Sequence, residues 1–205
     1  MPDQSHLDAY HAAVAEHGPG FAATLWGSPQ TQALRFGVMS DMAGGFTGLH
    51  LLDLGCGDGA LAQWLESRRE QPARYVGLDA MVEQIERAGS MPPTWACFEQ
   101  CDLSDNWTSP DRFDWIVVSG TLNTMEQPLA ETILHTAWQS CDIGLTFNFL
   151  SDRPHPRWHD ADLGPAHRFH LPAWYAWALE RTPLVACRQD YLDGHDATIL
   201  MRRHR

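Results

Sequence analysis

Three glycines and an aspartate give the clearest chemical signal in this 205-residue sequence. Gly55, Gly57 and Gly59 follow the apolar segment 49–54 and precede a segment with apolar residues at helical spacing. Such a turn lets a ligand lie against the backbone, and the helix behind it presents free N–H groups. Asp53 would repel a pyrophosphate there but attract a cationic group. The segment therefore predicts a nucleotide-like ligand that carries positive charge.

Two further aspartates end the next two predicted strands. Asp79 lies 79 − 59 = 20 residues after Gly59, where an acidic side chain accepts ribose hydroxyls. Asp102 follows the third strand, where a carboxylate can accept the amino group of an adenine. Gly55, Gly57 and Ala60 also fit the G-x-G-x-x-A pattern. An NAD(P)-dependent oxidoreductase is therefore one alternative.

The segments that position these residues alternate between strand and helix. Strands are predicted at 49–54, 75–78, 94–101, 113–119 and 143–149. The fourth is apolar at every central position, which is typical of a strand covered on both faces. Strands at 184–191 and 197–201 are joined by a short turn and must therefore pair antiparallel. The sequence predicts an α/β fold: a doubly wound, mostly parallel sheet with a C-terminal antiparallel hairpin and helices on both faces.

The chain is predicted to form one domain over residues 1–205. Residues 1–45 form an N-terminal helical cap, with helices expected over 3–17 and from Pro29 to about Met42. Residues 151–180 form a loop and a short helix on the substrate side. In that helix Trp174 and Trp177 share one face, which favours core packing.

Taken in series, the motifs resemble those of class I S-adenosylmethionine (SAM)-dependent methyltransferases. They read D-L-G-C-G-D-G at 53–59, G-L-D-A-M at 77–81, C-D-L at 101–103 and F-D-W-I-V-V-S-G at 113–120. The resemblance covers 30–203 and implies a seven-stranded sheet whose last strand is antiparallel. It also implies SAM as cofactor and O- or N-methylation of a small-molecule acceptor. A non-catalytic SAM-binding protein is the second alternative.

The resemblance implies cofactor contacts residue by residue. The methionine part of SAM would lie along the glycine turn, and residues after the fourth strand would enclose its end. An arginine would pair with the carboxylate of the cofactor. The ribose and adenine would be held after the second and third strands. The full set is Arg35, Asp53, Gly55, Cys56, Gly57, Asp79, Ala80, Met81, Asp102, Leu103, Ser119 and Gly120.

The catalytic residues are not fixed by the sequence. His155 is the histidine nearest the end of the fifth strand and is a candidate general base. Asn123 could orient an acceptor, cap a helix or shape its loop. Four histidines fall within 155–170, but the prolines and glycine there favour a loop, and no metal site is predicted. Cys56 is interpreted as a small residue at a tight turn and not as a nucleophile.

Composition narrows the function further. The chain has no lysine, so a P-loop lysine and Schiff-base chemistry are excluded. Its net charge of −12 disfavours nucleic acid and anionic membranes as partners. Five cysteines without a C-x-x-C pair, no signal peptide and no apolar run of spanning length predict a cytoplasmic protein. The oligomeric state stays open.

Overall fold

The computed structural model describes residues 5–109 and 111–204, so the first residues of the helix predicted from position 3 lie outside it. Within these ranges six α-helices and seven strands alternate along the chain. The helices are α1 Asp8–His17, α2 Pro29–Ala43, α3 Ala60–Ser67, α4 Val82–Ala88, α5 Gln127–Ser140 and α6 Leu171–Leu179. The strands are β1 His50–Leu54, β2 Arg74–Asp79, β3 Ala96–Gln100, β4 Phe113–Val118, β5 Cys141–Leu150, β6 Val185–Arg188 and β7 Asp196–Arg202.

The described strands form one seven-stranded sheet in the order β3-β2-β1-β4-β5-β7-β6. The strands β1 to β5 pair parallel, while β7 runs antiparallel to both β5 and β6. The predicted fold class and the antiparallel hairpin are confirmed. Insertion of β7 beside β5 departs from the 3-2-1-4-5-6 order of the dinucleotide fold, which weakens the oxidoreductase alternative.

The continuous apolar pattern of β4 has the predicted cause. Trp115 and Val117 pack into the hydrophobic cluster on one face of the sheet, with residues of α2 and α3. Ile116 and Val118 pack into the cluster on the other face, with residues of α5 and α6. Because helices cover both faces, the four consecutive positions 115–118 of the central strand are all buried. The second cluster also contains Trp174 and Trp177, as their shared face predicts.

Polar contacts define the start of α2 and position the segment that precedes it. Ser28 caps α2 by accepting a hydrogen bond from the Thr31 N–H at 3.2 Å. The side chain of Gln84 on α4 accepts a hydrogen bond from the Gly20 N–H at 2.8 Å and donates one to the Gly20 carbonyl at 3.1 Å. Such a two-way bond leaves the amide well satisfied and holds the segment before α2 against α4.

One arginine links separate parts of the segment after β5. Arg168 donates to the carbonyls of Ser151 at 2.9 Å and Trp158 at 3.0 Å, so it ties two parts of the loop together. One short 3₁₀ turn, Pro156–Trp158, interrupts the predicted irregular stretch. The strand β6 ends at Arg188, three residues before the predicted end, because the chain turns toward β7 there. None of the described helices is long and apolar enough to cross a membrane.

Candidate functional site

A pocket enclosing about 870 Å³ of empty space opens at the carboxyl ends of the parallel strands β1, β2 and β4. This is where ligands bind in open α/β sheets. We call it the cofactor pocket. Eleven of the twelve predicted cofactor residues line it: Asp53, Gly55, Cys56, Gly57, Asp79, Ala80, Met81, Asp102, Leu103, Ser119 and Gly120. The exception is Arg35.

The glycine turn is shaped by close backbone approaches. Gly55 has φ +77°, and a Cβ there would lie 2.2 Å from Oγ1 of Thr121. The Thr121 hydroxyl donates to the Leu54 carbonyl at 2.8 Å, which fixes the loop after β4 against the end of β1. Glycine is therefore required at position 55 by both backbone conformation and space.

Asp79 and Asp102 are oriented by backbone donors at the ends of β2 and β3. One oxygen of Asp79 accepts the Gly57 N–H at 2.8 Å, and the other accepts the Met81 N–H at 2.9 Å. The Asp102 Oδ1 accepts the N–H and the hydroxyl of Ser104, at 2.8 and 2.6 Å. Both carboxylates thus have fixed orientations at the pocket wall, and carboxylate oxygens can accept more than one hydrogen bond.

Asp53 is the most perturbed acid in the pocket. Its side chain is 2 % exposed and accepts a hydrogen bond from the Tyr75 hydroxyl at 2.5 Å. Burial raises the pKa of Asp53 to about 7, against the opposing effect of the Tyr75 hydrogen bond and with a further contribution from the charge of Asp79. A carboxyl that titrates near neutrality would be stabilised in its charged form by a cationic ligand group.

The structure supports the interpretation of Cys56 as a turn residue. Burial, followed by the charges of Asp53 and Asp79, raises the pKa of the Cys56 thiol well above its ordinary value. A thiol that stays protonated is a poor nucleophile.

Arg35 lies outside the lining of the cofactor pocket, contrary to its predicted position. It forms a buried two-pronged ion pair with Asp196 at the start of β7, in which Nη2 lies 2.7 Å from Oδ1. Its guanidinium stacks over the indole of Trp26, 4.5 Å from the ring centroid. Trp26 in turn packs so closely on Gly120 that a Cβ there would lie 2.3 Å from the ring. The indole therefore separates Arg35 from the pocket.

A second, smaller space of about 370 Å³ adjoins the cofactor pocket. We call it the side pocket. The two share four lining residues: Tyr10, Thr24, Trp26 and Gly120. The other residues that line the side pocket are Leu25, Asn123, Thr124, Leu163, Pro165 and Ala166.

The two catalytic candidates differ in where they lie. Asn123 lines the side pocket, but its amide is occupied: Oδ1 accepts the Leu150 N–H at 2.9 Å and Nδ2 donates to the Gly120 carbonyl at 3.4 Å. His155 lines neither pocket. It caps the 3₁₀ turn Pro156–Trp158 by accepting the Arg157 N–H on Nδ1 at 3.3 Å. Its side chain is therefore used in the turn, away from both pockets.

The histidine-rich segment is dispersed in the fold. His170 caps α6 by accepting the Ala173 N–H, and the His167 ring packs on Phe169 at 4.6 Å between centroids. Among residues 5–109 and 111–204, no group of three or more His, Cys, Asp or Glu side chains is placed to hold a metal ion.

Comparison with known families gives the site its context. Residues 51–144, which include the glycine turn, Asp79, Asp102 and Gly120, match the model of a methyltransferase domain family. This match covers slightly less than half of the chain. The predicted resemblance is thereby confirmed. No curated protein sequence matches the chain.

Solved structures share the fold of this chain over most of its length. A DhpI–SAM–HEP complex is 17 % identical with a TM-score of 0.68, covering 100 % of both chains. Magnesium protoporphyrin IX methyltransferase from Synechocystis PCC 6803 is 13 % identical with a TM-score of 0.66, covering 98 % of this chain and 95 % of that one. A SAM-dependent methyltransferase from Mesorhizobium loti is 19 % identical with a TM-score of 0.63, covering 87 % and 100 %.

Several residues that line the cofactor pocket were not predicted from the sequence. His6, Tyr10, Gln32 and Gln84 all line it. The first three belong to the N-terminal segment, whose position over the sheet depends on contacts across long chain separations. The position of Gln84 could have been predicted, since a glutamine on the buried side of a short helix needs hydrogen-bond partners.

Proposed function

We propose that this chain binds SAM in the cofactor pocket and transfers its methyl group to the oxygen or nitrogen of a small-molecule acceptor. The observation that carries the proposal is the convergence of three aspartates from three consecutive strands on one pocket. Similar solved structures add support, since they contain bound SAM or S-adenosylhomocysteine.

The adenosine half of SAM fits the edge of the pocket formed after β2 and β3. Asp79 would accept the ribose hydroxyls, because its orientation is already set by Gly57 and Met81. Met81 is buried and would pack against the adenine ring, while Asp102 and Leu103 would contact the adenine edge. A rigid set of acceptors reduces the ordering cost of binding.

The methionine half fits the region between β1 and β4. Asp53 would stabilise the positive charge there. Two buried polar atoms in this region, Ser119 Oγ and Arg35 Nη1, have no hydrogen-bond partner among the described residues. A shift of the Trp26 indole would open Arg35 Nη1 to the cofactor carboxylate, which retains the predicted role of Arg35 in a form that requires movement. Buried donors without partners are costly, and a ligand can satisfy them.

When bound, SAM supplies a methyl carbon on a positively charged sulfur. The chain's own contribution would be to hold the acceptor atom in line with that carbon and to exclude water. Residues 1–45 and 151–180 would form the walls that do so. In the balanced reaction the acceptor forms a bond to carbon, the carbon–sulfur bond breaks, sulfur keeps the electron pair, and the acceptor proton passes to solvent.

Calorimetric titrations with SAM and with NADH test the proposal directly. We expect saturable binding of SAM near one per chain and no binding of NADH. Asp102→Ala should weaken SAM binding, whereas Asp105→Ala, an exposed residue three positions later, should not. Transfer of a labelled methyl group to a small-molecule mixture then separates an enzyme from a silent binding protein. A folded protein that binds NADH, or neither ligand, overturns the proposal.

A further inference from the structure

We infer that the side pocket is the acceptor site and that it selects an uncharged, mostly apolar molecule bearing a hydroxyl group. This inference rests on the proposed function and gives the class of its substrate. The starting observation is that the side pocket and the cofactor pocket share Tyr10, Thr24, Trp26 and Gly120. A ligand in the side pocket would therefore meet the end of the cofactor pocket at Gly120, beside the methionine half.

The walls of the side pocket contain no charged side chain among their ten lining residues. The nearest aspartates of the site, Asp53, Asp79 and Asp102, all line the cofactor pocket instead. A carboxylate, phosphonate or ammonium placed between uncharged walls would lose its hydration without gaining a counter-charge, which is costly. The net charge of −12 adds a further barrier to anions.

Most of the wall is apolar. Trp26, Leu163, Pro165 and Ala166 contribute hydrocarbon or ring surface, and Leu25 at the rim is 40 % exposed. Leu25 also adopts the left-handed conformation at φ 59°, which is unusual for a residue with a branched side chain. An exposed leucine held in a disfavoured conformation beside a pocket is an apolar surface that a ligand would cover.

The polar groups of the side pocket are few, and most are already used. The Thr24 hydroxyl donates to the Phe21 carbonyl at 2.6 Å, and both ends of the Asn123 amide are bonded within the protein. Two groups remain. The buried Thr124 hydroxyl lies near the Tyr10 side chain but has no hydrogen bond of normal geometry among the described residues. Burial raises the pKa of Tyr10, so its hydroxyl stays protonated and can donate.

Two adjacent hydroxyls that can each donate or accept match a ligand hydroxyl, which also does both. They do not match a carboxylate, which needs charged or multiple donors, or an ammonium, which needs several acceptors. The walls are also held in place, since the His167 N–H donates to the Asn123 carbonyl at 2.9 Å and closes the loop against the segment after β4. A pocket whose walls are already held in place suits a rigid ligand, because little ordering is needed on binding.

Three probes that share one naphthalene ring test the charge selection: 2-naphthol, 2-naphthoate and 2-naphthylmethylammonium. Their binding is measured by ligand-observed NMR on the whole chain saturated with S-adenosylhomocysteine. We expect 2-naphthol to bind at least about tenfold more tightly than either charged probe, and to accept a labelled methyl group from SAM. A charged probe that binds as well as naphthol, or the failure of all three on a protein that binds S-adenosylhomocysteine, overturns the inference.

Two variants test the location of the site. Thr124→Val removes the buried hydroxyl at nearly constant shape and should weaken naphthol binding about tenfold, the loss of one hydrogen bond. Leu163→Arg supplies a counter-charge and should shift the preference toward naphthoate. Thr132→Val, on the exposed side of α5, is the matched control and should change neither. If all three variants still bind SAM but Thr124→Val and Leu163→Arg leave naphthol binding unchanged, the acceptor binds elsewhere and the inference is overturned. If the unmodified chain does not bind SAM, the proposed function is refuted instead.

Discussion

Replacing Asp53 by asparagine should stabilise the ligand-free protein at pH 8 and abolish part of its pH dependence. Asparagine keeps the shape of the side chain and can still accept the hydrogen bond from Tyr75, which is 2.5 Å long in the structure. It carries no charge, so the cost of burying a carboxylate disappears. The perturbation therefore isolates the ionisation of one group.

The magnitude follows from the pKa of Asp53, which burial raises from 3.8 to about 7. Because the folded-state value exceeds the unfolded one, stability is fully present below about pH 4 and is lost as the pH rises through 7. Three pKa units at about 1.4 kcal/mol each give a loss on the order of 4 kcal/mol above pH 7. Between pH 5 and pH 8 the same relation gives about 2–3 kcal/mol.

Urea denaturation of the unmodified protein and of Asp53→Asn at the two pH values measures this difference. We expect the advantage of the variant to be about 2–3 kcal/mol larger at pH 8 than at pH 5. Glu66→Gln, which changes an exposed carboxyl on α3, should show no such difference and controls for the loss of one charge. An equal advantage of Asp53→Asn at both pH values would refute the assignment of a near-neutral pKa to Asp53.

Ligand binding supplies a second readout of the same group. The positive charge of SAM favours the ionised form of Asp53, so binding should release a proton near pH 6 and tighten as the pH rises through 7. Asp53→Asn should bind SAM more weakly at pH 8 and lose this pH dependence. Calorimetry in two buffers of different ionisation enthalpy detects the released proton.

Three further predictions concern residues around the pocket. Gly55→Ala should reduce stability by about 2–3 kcal/mol and weaken SAM binding, since its Cβ would meet Thr121 at 2.2 Å in a strained conformation; denaturation and calorimetry measure both effects. Asp79→Asn should weaken SAM binding about 10- to 100-fold, because charged hydrogen bonds contribute about 1.5–3 kcal/mol, and unchanged affinity would exclude a ribose contact. Asp196→Asn should cost about 3–5 kcal/mol of stability by leaving the charge of Arg35 buried without its partner, and a smaller loss would mean that water reaches the pair.

The parts of this structure that the sequence predicts are those governed by local patterns. The apolar run of β4 predicts burial on both faces because every second residue of a strand points to the same side, and Trp115 and Ile116 indeed pack on opposite faces. Ser28 and Pro29 predict the start of α2 through capping, which depends only on neighbouring residues. The glycine turn likewise depends only on neighbouring residues, so the sequence predicts where the cofactor pocket lies.

The parts that the sequence does not predict depend on pairing between distant residues. Arg35 and Asp196 are separated by 161 positions, and nothing near either residue indicates its partner. The sequence suggests the cofactor carboxylate as the partner of Arg35, whereas the ligand-free structure pairs it with Asp196, because an arginine in a helix can face any neighbour with a carboxylate. Tyr75 likewise reaches Asp53 from the adjacent strand, and this contact sets the environment of the acid.

The arrangement of charge also bears on whether this methyltransferase domain catalyses a reaction or only binds its cofactor. A binding protein needs the three aspartates of the cofactor pocket and nothing beyond Gly120. Here a second space meets that pocket at Gly120, has uncharged walls and contains a Thr124 hydroxyl without a normal partner among the described residues. The separation of a charged cofactor side from an uncharged acceptor side therefore favours the enzyme.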